Sequence, residues 1–329
     1  MCLQPSPKVS VILPAYQAES SLGDALASIS TQTFRDYEVI VVDDGSTDRT
    51  VEIADEFGAR VISFSRNLGV VAAANRGLEE ARGELIARMD ADDIAHPERL
   101  ARQVALLDAE PEMGACATGV RIIGEDVQDG FVKFAEWGNA LVQPEDIARE
   151  RFIDLPVVNP TTMVRRSVAE QFPLRGEIDW AEDYDFWLRV MGAGIKVGKV
   201  DEVLLDWRDS PGRLTRTGEE YSLASFSRAK AHYLSCIAGK FAVAGAGPIG
   251  KRLAADLRVE GAEVTAFYDV HPRRIGNRIG GTPVLDSSAI SLDAGVLLSA
   301  VGVPGGRGFV RAMAVEAGFR EGEDFFCVA

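Results

Sequence analysis

The chain has 329 residues, 47% of them hydrophobic and 26% charged, with a formal net charge of −15 and a pI near 4.8. This is the composition of an ordinary soluble globular protein long enough for two domains, and its acidity disfavours the backbone of DNA or RNA as a partner. No run of about 18 apolar residues occurs and the start, "MCLQPSPKVS", has no apolar signal core, so the expected location is the cytoplasm, at most peripheral to the inner face of a membrane. The cysteines, Cys2, Cys116, Cys236 and Cys327, lie far apart with no C-x-x-C pair, so neither a zinc knuckle nor a disulfide framework is indicated. Only three histidines occur, His96, His232 and His271, which leaves little material for a histidine-built metal site.

In chain order, "VSVILP" (9–14) reads as a strand and "SLGDALASIS" as an amphipathic helix. The near-continuous apolar run in "YEVIVVDD" (37–44) fits a strand covered on both faces. A helix near 48–57, a strand at 59–65, a helix near 69–81 and a strand at 84–90 follow. Strands separated by helices imply a parallel α/β sheet. Beyond it, "HPERLARQVALLDAE" reads as a helix, "GACATGVRII" as a strand, and 125–160 as irregular with a short helix near 144–151. "WAEDYDFWLRVMGAG" is a helix ended by Gly192 or Gly194, and "KVGKVDEVLLDWR" (196–208) is a strand. A loop at 209–218 and a helix near 219–238 lead to Lys240, where the alternation of strand and helix restarts. These features predict a domain over 1–218, a helical linker over 219–238 and a smaller α/β domain over 239–329.

The acids of "LIARMDADDIAHPERL" (85–100) stand where a buried strand is expected to end. A solvated turn accounts for such a run, because Asp is frequent where strands give way to loops. Strand alternation allows another reading: if Asp90 still belongs to the strand, Asp90 and Asp92 face one way and Asp93 another. Two carboxylates on one side suit a hard divalent cation that also takes phosphate oxygens.

"VSVILPAYQAE", "SISTQTFRDYEVIVVDDGSTDRT", "SRNLGVVAAANRGLEEARGELIARMDADD" and "AEDYDFWLRV" occur in that order over roughly residues 8–210. Together they resemble the family 2 glycosyltransferases, which have the GT-A fold. The resemblance implies transfer of a sugar from a nucleotide-diphosphate donor to an acceptor hydroxyl, inversion at the anomeric carbon, and a bound Mn²⁺ or Mg²⁺. It implies donor contacts from Pro14, Ala15, Tyr16, Glu19, Asp44, Asn67 and Asp90, with Gly69 shaping the same pocket. Asp90 and Asp92 match the family's D-x-D, Asp92 holding the metal and Asp90 facing ribose or metal. Asp183 matches the position of the catalytic base, with Glu182 and Asp185 as its near neighbours at a helix start. Carboxylates also gather at helix starts for purely electrostatic reasons. Trp187, four residues on, is either core or a sugar-stacking wall. "NPTTMVRR" (159–166) is implied to lie on the acceptor side.

The sequence departs from the family pattern in places. Ala74 stands where Arg is frequent, a contact Arg76 could replace, and no His follows Arg208 as a third ligand. There is no Q-x-x-R-W run, which argues against a processive polysaccharide synthase.

In the second half, "GAGPIG" matches G-x-G-x-x-G at Gly245, Gly247 and Gly250, and Asp269 follows at the spacing of a ribose-binding acid. The segment resembles small Rossmann-like nucleotide or nucleotide-sugar binding domains. A domain that keeps its glycines for packing alone remains open, and His271 reads as a loop residue. The expected activity is glycosyl transfer in the assembly of a bacterial surface glycan or another glycoconjugate. Two rivals are an NAD-linked sugar-nucleotide oxidoreductase working through the second domain and a non-catalytic nucleotide-binding scaffold.

Overall fold

A computed structural model describes residues 6–125, 127–210 and 213–329, with only the backbone of Leu214. Cys2 and residues 211–212 of the expected 209–218 loop fall outside the described residues. Two compact units emerge: residues up to 147, 156–178 and 185–216 form one, and residues 148–155, 179–184 and 217–329 the other. Two short segments upstream of the expected 218–239 boundary thus group with the C-terminal part.

The strands of the first unit are β1 (Val9–Ala15), β2 (Tyr37–Asp43), β3 (Arg60–Ser63), β4 (Leu85–Arg88), β5 (Ile94–Ala95), β6 (Met113–Ile123), β7 (Met163–Arg165) and β8 (Lys196–Arg208). They form one sheet in the order β3-β2-β1-β4-β7-β6-β8-β5. β3, β2, β1 and β4 run parallel, as strand-helix alternation requires. β7 is antiparallel to β4 and β6, β8 is parallel to β6, and β5 is antiparallel to β8. The helices are α1 (Leu22–Ser30), α2 (Thr50–Glu56), α3 (Val70–Glu80), α4 (Arg99–Ala109), α5 (Asp129–Asn139), α6 (Pro144–Glu150), α7 (Arg166–Gln171), α8 (Glu182–Gly192) and α9 (Leu214–Thr217). α6 and α8 each run across a boundary between the two units.

β1 is largely apolar because both of its faces are covered, and the buried Ser10 is satisfied by Glu38 and the backbone of Gly83. Val9, Val11, Leu13 and Ala15 join Leu22, Leu26 and Ile29 of α1 in the main core. On the other face a Cβ at Gly77 would lie 2.4 Å from Ile12 Cγ2, so α3 approaches β1 as closely as only glycine allows.

Two expectations need correction. The strand expected to reach residue 90 stops at Arg88, and a turn follows in which Asp93 N donates to Asp90 O at 3.4 Å. The stretch expected to be irregular contains α5. Gly130 and Gly138 weaken its helical signal, but Phe131 and Phe134 pack on Trp207 and supply by burial what propensity lacks.

The second unit contains α10 (Leu223–Ser235), β9 (Lys240–Ala244), α11 (Pro248–Val259), β10 (Glu263–Asp269), β11 (Arg278–Ile279), β12 (Thr282–Asp286), β13 (Val296–Ser299), α12 (Gly306–Glu316) and β14 (Phe325–Cys327). Its sheet has the order β11-β12-β10-β9-β13-β14. All neighbours are parallel except β11 and β12. Ser222 caps α10, its side chain accepting from Ser225 N at 3.2 Å.

Candidate active site

β1, β2 and β4 are parallel, β4 stopping at Arg88 opposite Ile12 while β1 and β2 run on to Ala15 and Asp43, and open parallel sheets bind ligands at the carboxyl ends of their strands. Here the turn after β4 gathers Asp90, Asp92 and Asp93, each offering one carboxylate oxygen, all within 4.8 Å of one another. The alternation argument fails for Asp93: β4 has already ended, and the turn brings Asp93 in with the other two.

Arg88 donates to Asp90 Oδ1 through Nε (3.2 Å) and Nη2 (3.0 Å). Arg208 Nε donates to Asp92 O at 2.8 Å, and its backbone N donates to Asp93 Oδ1 at 2.8 Å. Asp93 is fully buried, and its Oδ2 has no hydrogen-bond partner among the described residues. Burial and then the charge of Asp90 raise the Asp92 carboxyl above its ordinary range, against the pull of Arg213. Burial, Asp90 and Asp92 push Asp93 well above it. Three acids under mutual repulsion, one of them with an unfilled buried oxygen, fit a divalent cation. His96, just beyond them, places Nε2 3.0 Å from Asp206 Oδ1, and Asp206 also takes a fork from Arg121.

The loop after β1 is tied to the loop after β2. Gln17, at φ 49°, is the non-glycine residue with positive φ among those described. Its backbone N donates to Ser46 Oγ (2.9 Å), and its Oε1 accepts from Thr47 N (2.8 Å). Such a conformation costs about 1–3 kcal/mol and persists only where neighbours hold it. It sits between Tyr16, whose ring is exposed, and Ala18, whose N donates to Thr50 Oγ1. Glu19 Oε2 accepts from Arg49 N at 3.2 Å.

Pro14 and Ala15 close β1, and Asp44 N donates to Ala15 O at 2.8 Å. Asp44 is buried; its Oδ1 accepts from Leu68 N (2.6 Å) and its Oδ2 from Gly69 N (2.8 Å), which seats the start of α3. Asn67 is exposed beside that turn. Ala74 is buried, and Arg76 is engaged with Glu79 and Glu80 along α3.

Asp183 lies at the first turn of α8, where its Oδ1 accepts from Tyr184 N at 2.7 Å. Glu182 accepts from the Tyr221 hydroxyl at 3.0 Å. Asp185 is fully buried and bonded to Arg189 Nε at 2.7 Å. Trp187 is also fully buried, a core residue with no face open to a sugar.

In the second unit β9 leads through Gly245, Ala246 and Gly247 into α11. Gly245, at φ 110°, needs the left-handed region, and a Cβ on Gly250 would lie 2.0 Å from Gly245 O. A Cβ on Gly247 would meet only Arg274 Nη1, at 3.9 Å. Asp269 spends both oxygens inside this loop: Oδ2 on Ala246 N (2.9 Å) and Arg274 (3.0 Å), Oδ1 on His271 N (2.8 Å). Burial opposes them, yet these bonds hold its carboxyl below the usual range.

Sequence reasoning missed Asp93, Arg88 and Gln17. Asp93 is legible as an acid, but strand alternation sends it to the opposite side; the other two carry no sequence signal of their own.

Residues 10–172 match the profile of glycosyl transferase family 2. EpsE of Bacillus subtilis (strain 168), named for a glycosyltransferase, is 31% identical over 228 residues, covering 66% of this chain and 78% of that protein. An uncharacterised glycosyltransferase of Haemophilus influenzae is 33% identical over 217 residues, 61% of this chain. The match spans 65% of that relative, just under two thirds of its length. Among solved structures, S. aureus TarS 1–349 in complex with UDP-GlcNAc matches with a TM-score of 0.58 at 21% identity, over 76% of this chain and 71% of that one. That likeness is one of fold, the α/β GT-A fold. The chain belongs to glycosyl transferase family 2.

Proposed function

We propose that the chain transfers a glycosyl group from a nucleoside-diphosphate sugar to an acceptor hydroxyl, with inversion and with a divalent cation, Mn²⁺ or Mg²⁺. The setting is assembly of a bacterial surface glycan or another glycoconjugate. The observation that carries this reading is the convergence of Asp90, Asp92 and Asp93 at the end of β4, next to the ends of β1 and β2. Asp92 and Asp90, joined by Asp93, are the residues to hold the cation. When bound, it supplies Lewis-acid offset of the charge that develops on the departing diphosphate.

The chain's own residues do the rest. Tyr16 offers an exposed ring to the donor's base, and Asp44 orders the loop through Leu68 and Gly69 around the same pocket. Pro14 and Ala15 at the end of β1, and Glu19 and Asn67 in the loops after β1 and β3, are the positions from which donor contacts are expected. Asp183 takes the proton of the acceptor hydroxyl as its oxygen attacks the anomeric carbon.

The second unit is read as a Rossmann-like domain with a nucleotide or nucleotide-sugar site at Gly245, Gly247 and Gly250. What supports it is the parallel strand order around β9 and the open approach at Gly247. Asp269 enters this reading as the residue that holds the glycine loop, not as a free ribose ligand. No helix among the described residues is long and apolar enough to cross a membrane.

A thermal-shift panel of nucleotide sugars with and without Mn²⁺ tests the reading. At least one donor should raise the melting temperature only when the cation is present, because a ligand of the folded state stabilises by mass action. A panel in which no nucleotide sugar shifts the transition with either cation would overturn it.

A further inference from the structure

We propose that Arg99 and Gln103 are positioning residues for the cation site, a buried pair that holds the backbone from which the acid turn after β4 begins. The inference rests on the reading of that turn as the metal centre of a transferase. Both side chains are fully buried, and they stand one turn apart on one face of α4. Arg99 Nε donates to Gln103 Oε1 at 3.2 Å, Nη2 to Arg88 O at 2.6 Å, and Nη1 to Met89 Sδ at 3.1 Å. Gln103 Nε2 donates to Thr161 O at 2.8 Å.

These bonds converge on one residue. Arg88 is the last residue of β4, and Asp90 follows two positions on. Arg88 N donates to Thr162 O at 2.9 Å, and Arg88 O takes the Arg99 guanidinium. The strand end is thus held at its carbonyl by Arg99 and at its N–H by the 161–162 segment, which Gln103 anchors in turn.

Stability does not account for the pair. The partners of Arg99 are a carbonyl, an amide oxygen and a thioether, and among the described residues no carboxylate bonds to it. Burial lowers the guanidinium to about 10, against the pull of Asp93. A buried charge without a paired counter-charge is costly, and apolar side chains of similar volume often serve a fold as well or better. Preorganisation does account for it. Groups standing behind the ligands of a metal fix how those ligands are aimed, and losing one typically weakens metal binding by about 10–100-fold.

Gln103 is neutral, so replacing it disturbs position without changing charge. Mn²⁺ is the probe, titrated into the full-length protein without nucleotide and followed by the EPR signal of the free ion, well below each variant's melting temperature. Gln103→Met should bind Mn²⁺ about 10–100-fold more weakly than the wild type. Arg99→Lys keeps the charge but cannot bridge Arg88 O and Gln103 together. It should show the same loss, and it serves if Gln103→Met fails to fold. Leu107→Ala, a core truncation on the same helix, should lower the melting temperature and leave Mn²⁺ affinity unchanged. Wild-type affinity in folded Gln103→Met or in Arg99→Lys would overturn the proposal. So would an equal loss in Leu107→Ala, which would make the effect one of general stability. Wild-type protein that binds no Mn²⁺ would overturn the cation reading itself, and this inference with it.

Discussion

Arg88 gives two of its three guanidinium nitrogens to a single oxygen, Oδ1 of Asp90, and so supplies a fixed positive charge to the acid cluster after β4. Removing that charge leaves Asp90, Asp92 and Asp93 with more mutual repulsion. Arg88→Gln should therefore melt at a lower temperature than the wild type in EDTA. Mn²⁺ should raise its melting point by more than it raises that of the wild type. Equal Mn²⁺ shifts in the two proteins would show that Arg88 does not balance the site.

Asp92 is held near Asp90 in surroundings that disfavour its charge. Asp92→Asn removes one like charge and keeps the shape. The metal-free variant should be as stable as the wild type or more so, by up to about 1 kcal/mol, since functional sites often hold strain that substitution relieves. The same variant should lose Mn²⁺-dependent donor binding, read by calorimetry. Donor binding that stays Mn²⁺-dependent would remove Asp92 from the metal site.

Much of this site was legible in the sequence, and the missing parts have physical causes. Asp90 and Asp92 stood out because the D-x-D follows an apolar run, and the strand-helix alternation placed that run at a sheet's carboxyl end. Asp93 was assigned to the wrong side because alternation holds only inside a strand, and β4 ends two residues before Asp90. Gln17 looks like any loop residue, and its positive φ is imposed by Ser46 and Thr47 about thirty positions away.

At the start of α8 three acids have three different situations, so their substitutions should separate. Asp183→Asn keeps shape but cannot take a proton, and should lower transfer by about 10²–10⁴-fold with donor binding intact. Glu182→Gln should keep its bond from Tyr221 and lose little activity. Asp185→Asn breaks a buried pair with Arg189 and should cost about 3–5 kcal/mol of stability. Urea melts and single-turnover transfer on the three variants check the division. Normal turnover by Asp183→Asn would move the base elsewhere.

Lys199 predicts a pH dependence of stability. Its Nζ is buried and donates to the carbonyls of Gly138 and Pro156, and burial lowers it from 10.5 to about 8. Below pH 8 both folded and unfolded chains carry the proton, and the cost of burying the charge is fully present. Between 8 and 10.5 the unfolded chain binds more protons, so stability rises with pH across that window. Lys199→Met lacks this contribution. The wild type should gain on the variant by at most about 3 kcal/mol from one end of the window to the other. Lys230, also lowered to about 8, titrates in both proteins and cancels in the difference. Parallel stability curves would mean that Lys199 does not titrate in this range.

The glycines of the second unit make the last prediction, because they differ in what they are for. Gly250 is required by the protein itself: a Cβ there would lie 2.0 Å from Gly245 O, a backbone atom that cannot swing aside. Gly250→Ala should therefore destabilise by a few kcal/mol, in the range of overpacking, whether or not any ligand exists. Gly247 has ordinary extended backbone, and a Cβ there would meet nothing closer than Arg274 Nη1 at 3.9 Å. Gly247→Ala should fold with unchanged stability, so packing does not account for glycine at this position. A diphosphate approaching the first turn of α11 would account for it, since even one methyl group obstructs that approach. Full-length protein carrying Asp92→Asn, which should have lost the cation-dependent site, isolates the question. It should still bind a nucleotide or nucleotide sugar without divalent metal, and adding Gly247→Val should remove that binding while leaving the fold intact. If the Asp92→Asn protein binds no nucleotide in an NMR titration, the glycine loop is a packing device and the second unit acts otherwise.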